Sequence, residues 1–278
     1  MTKNNFDRKV INDFGNEWES YDQSSVDFRE LKNQFSDYFK LFPWQEKITN
    51  GTGVDFGCGT GRWAKFVSEK VNCLICIDAS SKAVNVARRN LLDKEKCYVI
   101  QGRIDSLPIL DSSLDFAYSL GVLHHLPDTE NAIRKCTKKL KPGAPFLIYL
   151  YYAFDNRPYW YLFIWKSVDI IRKIISKTPF RIKYNICNII SIIIYYPLAR
   201  LSFLLEKVGV NVRNIPLSSY RNKSFYTMRT DSLDRFGTRI EQRFTKEQIK
   251  IMMNNAGLEN IRFSNIAPYW CAIGYRNV

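Results

Sequence analysis

Val54-Asp55-Phe56-Gly57-Cys58-Gly59-Thr60-Gly61 leads a short apolar run into a glycine-rich turn. Glycine at alternate positions lets the backbone turn sharply and lets a ligand approach the main chain. Asp55 precedes the first glycine by two, where a carboxylate faces a cationic amino group and would repel a phosphate. No Lys-Ser/Thr pair follows, so the phosphate-loop pattern is excluded. Asp78 ends the next apolar run, the place from which an acidic side chain reaches ribose hydroxyls.

Outward from this turn, short apolar runs alternate with helical stretches. Residues 53–56, 74–77, 98–100, 114–119 and 145–152 read as strands. Residues 61–70, 81–92 and 129–140 read as the helices between them. Thr245-Lys246-Glu247-Gln248 is a capping box opening a helix that ends at Gly257. Runs 260–264 and 269–275, separated near Pro268, read as an antiparallel hairpin. The expected fold is α/β: a doubly wound, seven-stranded, mostly parallel sheet with an antiparallel C-terminal hairpin, plus a helical cap inserted after strand 5. Residues 1–50 form an N-terminal helical segment, 51–152 and 241–278 the ligand-binding domain, and 153–240 a basic, aromatic-rich cap.

The glycine turn and its flanks resemble motif I of class I S-adenosylmethionine-dependent methyltransferases. The likeness runs from Asp55 to Tyr152 and again from Thr245 onward, and leans toward the small-molecule branch of quinone-biosynthesis-type enzymes. It implies S-adenosyl-L-methionine as cofactor. Asp55 and the backbone of Gly57, Cys58, Gly59, Thr60 and Gly61 would hold its methionine portion, Asp78 the ribose, and Ala79 the adenine face. In Gln101-Gly102-Arg103-Ile104-Asp105 the family has an acidic residue after the glycine; here that position is Arg103, and Ile104 and Asp105 stand in beside the adenine. Ser119 would lie at the reactive end. The resemblance also implies that the segment around Phe14-Gly15-Asn16-Glu17-Trp18 folds over the cofactor.

Methyl transfer to oxygen calls for a base. The chain has two histidines, His124 and His125, directly after the fourth strand, and both are candidates. The segment from Tyr220 to Arg239 mixes arginine, aspartate and aromatics without apolar periodicity and reads as a binding loop. Tyr220, Arg221, Tyr226, Arg229, Asp231 and Arg235 are its candidate acceptor-binding residues, through bidentate arginine contacts and ring stacking. An internal Arg–Asp salt-bridge network fixing the cap on the sheet is the alternative for the same residues.

With 46% hydrophobic residues the 278-residue chain can bury a substantial core. Cys73 and Cys76 sit inside an apolar run and read as core side chains, so no metal is expected. The net charge is +14, and residues 155–239 hold fifteen Lys/Arg against five Asp/Glu. Such a local surplus suits an anionic acceptor or an anionic membrane face. The uncharged run from Tyr184 to Ala199 is sixteen residues, short of a membrane span. Residues 160–177 and 186–205 read as an amphipathic helical pair, either packed as a lid or resting on lipid. The reading is therefore a cytoplasmic methyltransferase, in peripheral contact with the inner membrane face in the lipid case, acting at oxygen on a small or lipid-linked acceptor. The alternatives are an RNA methyltransferase, disfavoured because Ser119-Leu120-Gly121 lacks an Asn/Asp-Pro-Pro-Tyr signature, and a non-catalytic binding protein of the same fold.

Overall fold

A computed structural model of the chain describes residues 5–277. Its backbone contacts divide it into two compact units, one of residues 1–23, 31–153 and 240–278, the other of residues 24–30 and 154–239. Residues 1–4 and 278 lie outside the described part of the first.

The first unit is built on seven strands: β1 (Thr52–Phe56), β2 (Cys73–Asp78), β3 (Cys97–Gln101), β4 (Phe116–Leu120), β5 (Pro145–Tyr149), β6 (Leu258–Phe263) and β7 (Cys271–Arg276). Their order is β3-β2-β1-β4-β5-β7-β6; the first five run parallel, and β7 pairs antiparallel with both β5 and β6. This is the sheet expected from the alternating runs. Strands covered on both faces read as continuous apolar stretches, and every residue of β4 is buried. Val54, Phe56, Ala117, Phe146 and Ile148 are fully buried in the central core. Chain order reverses between β1 and β4, so the crevice beyond their carboxyl ends is the natural ligand position.

Around the sheet lie α1 (Arg8–Ser20), α2 (Phe28–Tyr38), α3 (Glu46–Thr49), α4 (Ala64–Val67), α5 (Ser81–Asn90) and α6 (Thr129–Thr137). Two boundaries differ from expectation. The helix expected over 61–70 is a single turn, because Gly61 has φ +76° and a right-handed helix cannot start there. The strand expected over 145–152 leaves the sheet at Tyr149, and Tyr152 bridges to Phe244 instead.

The second unit is helical: α7 (Tyr159–Ile175), α8 (Phe180–Ile190), a π turn (Ser191–Tyr195), α9 (Tyr196–Lys207) and α10 (Phe225–Gly237). The chain then returns to the first unit, where α11 (Lys246–Asn255) starts with the expected capping box. Two expectations are corrected here. The stretch read as a binding loop contains a 13-residue helix, α10. The sixteen-residue uncharged run lies within one continuous helix, Phe180–Lys207, whose 28 residues are long and apolar enough to cross a membrane.

Candidate active site

The turn after β1 is held from below. The amides of Gly57 and Cys58 both donate to the Ile77 carbonyl, at 2.8 and 2.9 Å. Gly57 has φ +82°, and a Cβ there would lie 2.5 Å from the Val122 side chain, so only glycine fits. Asp78, at the end of β2, accepts from the Gly59 amide at 3.0 Å and from the Ser80 amide at 2.9 Å. Burial raises its carboxyl above the usual aspartate value, and those two amides pull the other way. The turn and the carboxylate expected to face ribose are thus one bonded structure. Ala79 follows, its carbonyl accepting from Gln101 Nε2.

Asp55 is 2% exposed, and its Oδ2 has no hydrogen-bond partner. Burial lifts its carboxyl to about 8; the Asp78 charge adds to this, while the Tyr118 hydroxyl and Arg62 oppose it. Thr60 is equally buried, and its Oγ1 is likewise unpartnered. Unsatisfied buried polar atoms are rare and call for a ligand. A neutral buried carboxyl beside a glycine turn fits the ammonium group of an amino-acid ligand, whose charge would draw it into the ionised form. S-adenosylmethionine carries such a group on its methionine portion.

Other expected positions are used differently. Both carboxylate oxygens of Asp105 are taken by Arg103, at 2.8 and 3.0 Å, and Arg103 also stacks 3.9 Å from the Phe6 ring. Ile104 lies beside it in the 3₁₀ turn Ile104–Ser106. The Ser119 hydroxyl donates to the Phe56 carbonyl at 2.8 Å, tying β4 to β1.

The N-terminal helix packs directly on this turn. Trp18 of α1 stands 3.1 Å from where a Gly59 Cβ would be, and a Cβ on Gly15 would be 2.3 Å from Ser80 Oγ. Phe14 packs on His125 with ring centroids 4.8 Å apart.

Beyond β4 and β5 lies a cluster the sequence only partly announced. His124 is fully buried, both ring nitrogens lack partners, and burial with His125 and Arg243 nearby holds its pKa well below the usual histidine value. It is therefore neutral at physiological pH. His125 Nδ1 lies 2.7 Å from the Ile240 carbonyl. A carbonyl only accepts, so Nδ1 carries a proton. Tyr151 stacks on His124 at 3.9 Å, Tyr149 packs on Tyr151, and Arg243 sits 5.1 Å over the Tyr151 ring while paired to buried Glu241 at 2.7 Å. Tyr149, Tyr151, Glu241 and Arg243 were missed because the Tyr152–Phe244 bridge joins positions ninety residues apart, which no local pattern signals.

The six residues expected to bind the acceptor all lie in the second unit and are bonded within it. Tyr220 is buried and packs on Tyr195, with Asp231 and Arg235 flanking the pair. Arg221 binds Glu206 at 2.7 Å, and Arg229 binds Asn188 at 2.8 Å and Tyr184 at 3.2 Å. Tyr226 lies in the first turn of α10, its carbonyl accepting from Thr230.

Residues 54–148 match a family model described as a methyltransferase domain. Over these residues the chain carries a methyltransferase domain, and it has the fold of S-adenosylmethionine-dependent methyltransferases. A probable tRNA methyltransferase 9B of Mus musculus is 28% identical over 134 residues, covering 47% of this chain and 28% of the relative. A ubiquinone biosynthesis O-methyltransferase of Idiomarina loihiensis is 30% identical over 96 residues, 33% of this chain and 38% of the relative. The chain thus spans well under half the length of these curated relatives. An S-adenosylmethionine-dependent methyltransferase from Aquifex aeolicus shares the fold of this chain at TM-score 0.52 and 14% identity, over 92% of this chain and 96% of that one.

Proposed function

We propose that the protein transfers a methyl group from S-adenosylmethionine to an oxygen of a small or lipid-linked acceptor. One observation carries this reading: His124, held neutral and with both ring nitrogens unmet, stands beyond β4 and β5, on the same unit as the glycine turn and the unpartnered Asp55 oxygen. S-adenosylmethionine supplies an electrophilic methyl whose carbon–sulfur bond breaks as the oxygen–carbon bond forms, the sulfonium leaving as a thioether. The chain's part is alignment, which can supply roughly 7–11 kcal/mol of the barrier. An imidazole of His124 or His125 takes the acceptor's hydroxyl proton, and the Tyr149–Tyr151 wall with Arg243 positions the acceptor.

A second reading is favoured by a different observation. The tRNA methyltransferase relative and the net charge of +14 both suit an RNA acceptor. Incubating the full chain with methyl-labelled S-adenosylmethionine and either bacterial lipid extract or total tRNA distinguishes the two. Label in the lipid fraction is expected; label in tRNA alone overturns the proposal. Calorimetry addresses the cofactor: low-micromolar affinity is expected, and Asp78→Ala should weaken it at least about tenfold, the loss of one charge-assisted hydrogen bond or more. Unchanged affinity in that variant would refute the ribose assignment, and no binding by the parent chain would favour a non-catalytic role.

A further inference from the structure

Within the helical unit, the run from α8 to α9 is built inside out. In a water-soluble helical domain the apolar stripe faces inward and the polar stripe outward. Along α8, the π turn and α9 the buried line is instead Lys183, Cys187, Ser191, Tyr195, Ala199 and Ser202. Its polar groups are satisfied internally: Ser191 Oγ and Ser232 Oγ of α10 both donate to the Cys187 carbonyl, at 2.8 and 3.0 Å. Small and hydroxyl side chains on helix contacts, with aliphatic side chains outside, are how helices pack when the surroundings are lipid.

The outer faces complete the inversion. Between Tyr159 and Val210 lie seventeen of the twenty-three exposed large hydrophobic side chains among the described residues. On α7, Trp160, Phe163, Ile164, Ile171 and Ile174 follow helical spacing, with Phe163 74% exposed. On the longer helix Ile182, Ile189, Ile192, Ile193, Tyr196 and Leu204 do the same, with Ile192 56% exposed. Single exposed aliphatics are ordinary, but a continuous face of them marks an interaction site.

Charge says what covers it. Residues 159–210 hold eight Lys/Arg against two Asp/Glu, and Lys166, Lys173, Lys177 and Arg181 are exposed. A second copy would bring the same positive surplus against this one, whereas anionic headgroups neutralise it. Tyr159 and Trp160 open α7 with amphipathic rings of the kind found at the headgroup level. Chain topology fixes the mode. The segment leaves the sheet-bearing unit after Ala153 and rejoins it at Ile240, so any bilayer crossings must be even in number. Among the described residues one helix qualifies by length and composition, and α7, at 17 residues, is about 25 Å long against a core of about 30 Å.

We propose that α7 and the α8–α9 helix lie in the plane of an anionic bilayer, their isoleucine-rich faces sunk into one leaflet. The observations are independent of the catalytic reading. The test is flotation of the full chain with vesicles of phosphatidylcholine alone or with roughly a third phosphatidylglycerol. The chain is expected to float with the anionic vesicles and at least about tenfold less with the neutral ones. Phe163→Glu and Ile192→Glu should each abolish flotation while S-adenosylhomocysteine affinity, measured in parallel, stays unchanged. A second readout guards against misfolding: tail-brominated lipids should quench part of the parent protein's tryptophan fluorescence, and Trp160→Phe should lose that part. A folded parent chain that stays in the soluble fraction overturns the proposal. So does a stable dimer in sedimentation that ignores vesicles and is broken by Ile192→Glu, because the face would then belong to a second copy.

Discussion

Asp55 shows what a ligand site costs the empty protein. Its carboxyl is lifted from 3.8 to about 8, chiefly by burial, so between those values the folded chain binds more protons than the unfolded chain. The stability it contributes is complete below about pH 4 and is lost as pH rises toward 8. Asp55→Asn keeps the shape without the ionisation. Free of cofactor, the variant should be more stable near pH 8 by roughly 2–4 kcal/mol, a rise of about 5–10 °C in Tm that shrinks toward pH 5. Differential scanning calorimetry across that range checks it. The same variant should bind cofactor more weakly. Calorimetry near pH 7 in buffers of differing ionisation enthalpy should show the parent chain releasing more protons on binding than the variant. Residue chemistry of this kind was legible early, because Asp55, the glycines and Asp78 belong to two short runs joined by one turn.

Among elements, α10 explains two buried cations and one misreading. Its buried positions are Thr227, Met228, Thr230, Ser232, Leu233, Phe236 and Gly237, three of the seven hydroxyl-bearing, so its inner face leaves no apolar rhythm to detect. Its C-terminal carbonyls are met from neighbouring helices: Lys183 Nζ of α8 donates to Gly237 O at 2.9 Å, and Arg172 of α7 donates to Thr238 O at 2.9 Å while pairing with Asp169 at 2.6 Å. A helix end carries unpaired carbonyls and partial negative charge, so cations are stabilising there. Arg172→Ala strands the carbonyl and leaves Asp169 with only Lys173, at 2.9 Å. It should lower the stability of the helical unit by about 2–4 kcal/mol in urea denaturation, with cofactor affinity unchanged. Loss of cofactor binding with no loss of stability would contradict this assignment.

For the whole molecule, the charge of +14 bears on which partner is genuine. A surplus of this size attracts any polyanion. Binding to tRNA without a dedicated site should therefore be electrostatic and fall steeply with salt, by roughly 10³-fold between about 50 and 200 mM if six or more phosphates are contacted. Filter binding over that salt range measures it; affinity that survives the higher salt would instead support the RNA reading. Membrane association through the helical unit is expected to be less salt-sensitive, because burial of apolar side chains contributes alongside charge.

The parallel sheet, the closing hairpin and the cofactor turn followed from sequence, since each rests on periodicity or turn chemistry within a few residues. The histidine–tyrosine–arginine cluster and the polarity of the helical unit did not. The first needs Glu241 and Arg243 brought to β4 and β5 by a bridge across ninety residues. The second depends on which side of each helix is covered, and a helix rich in isoleucine reads the same in sequence whether that face turns inward or out.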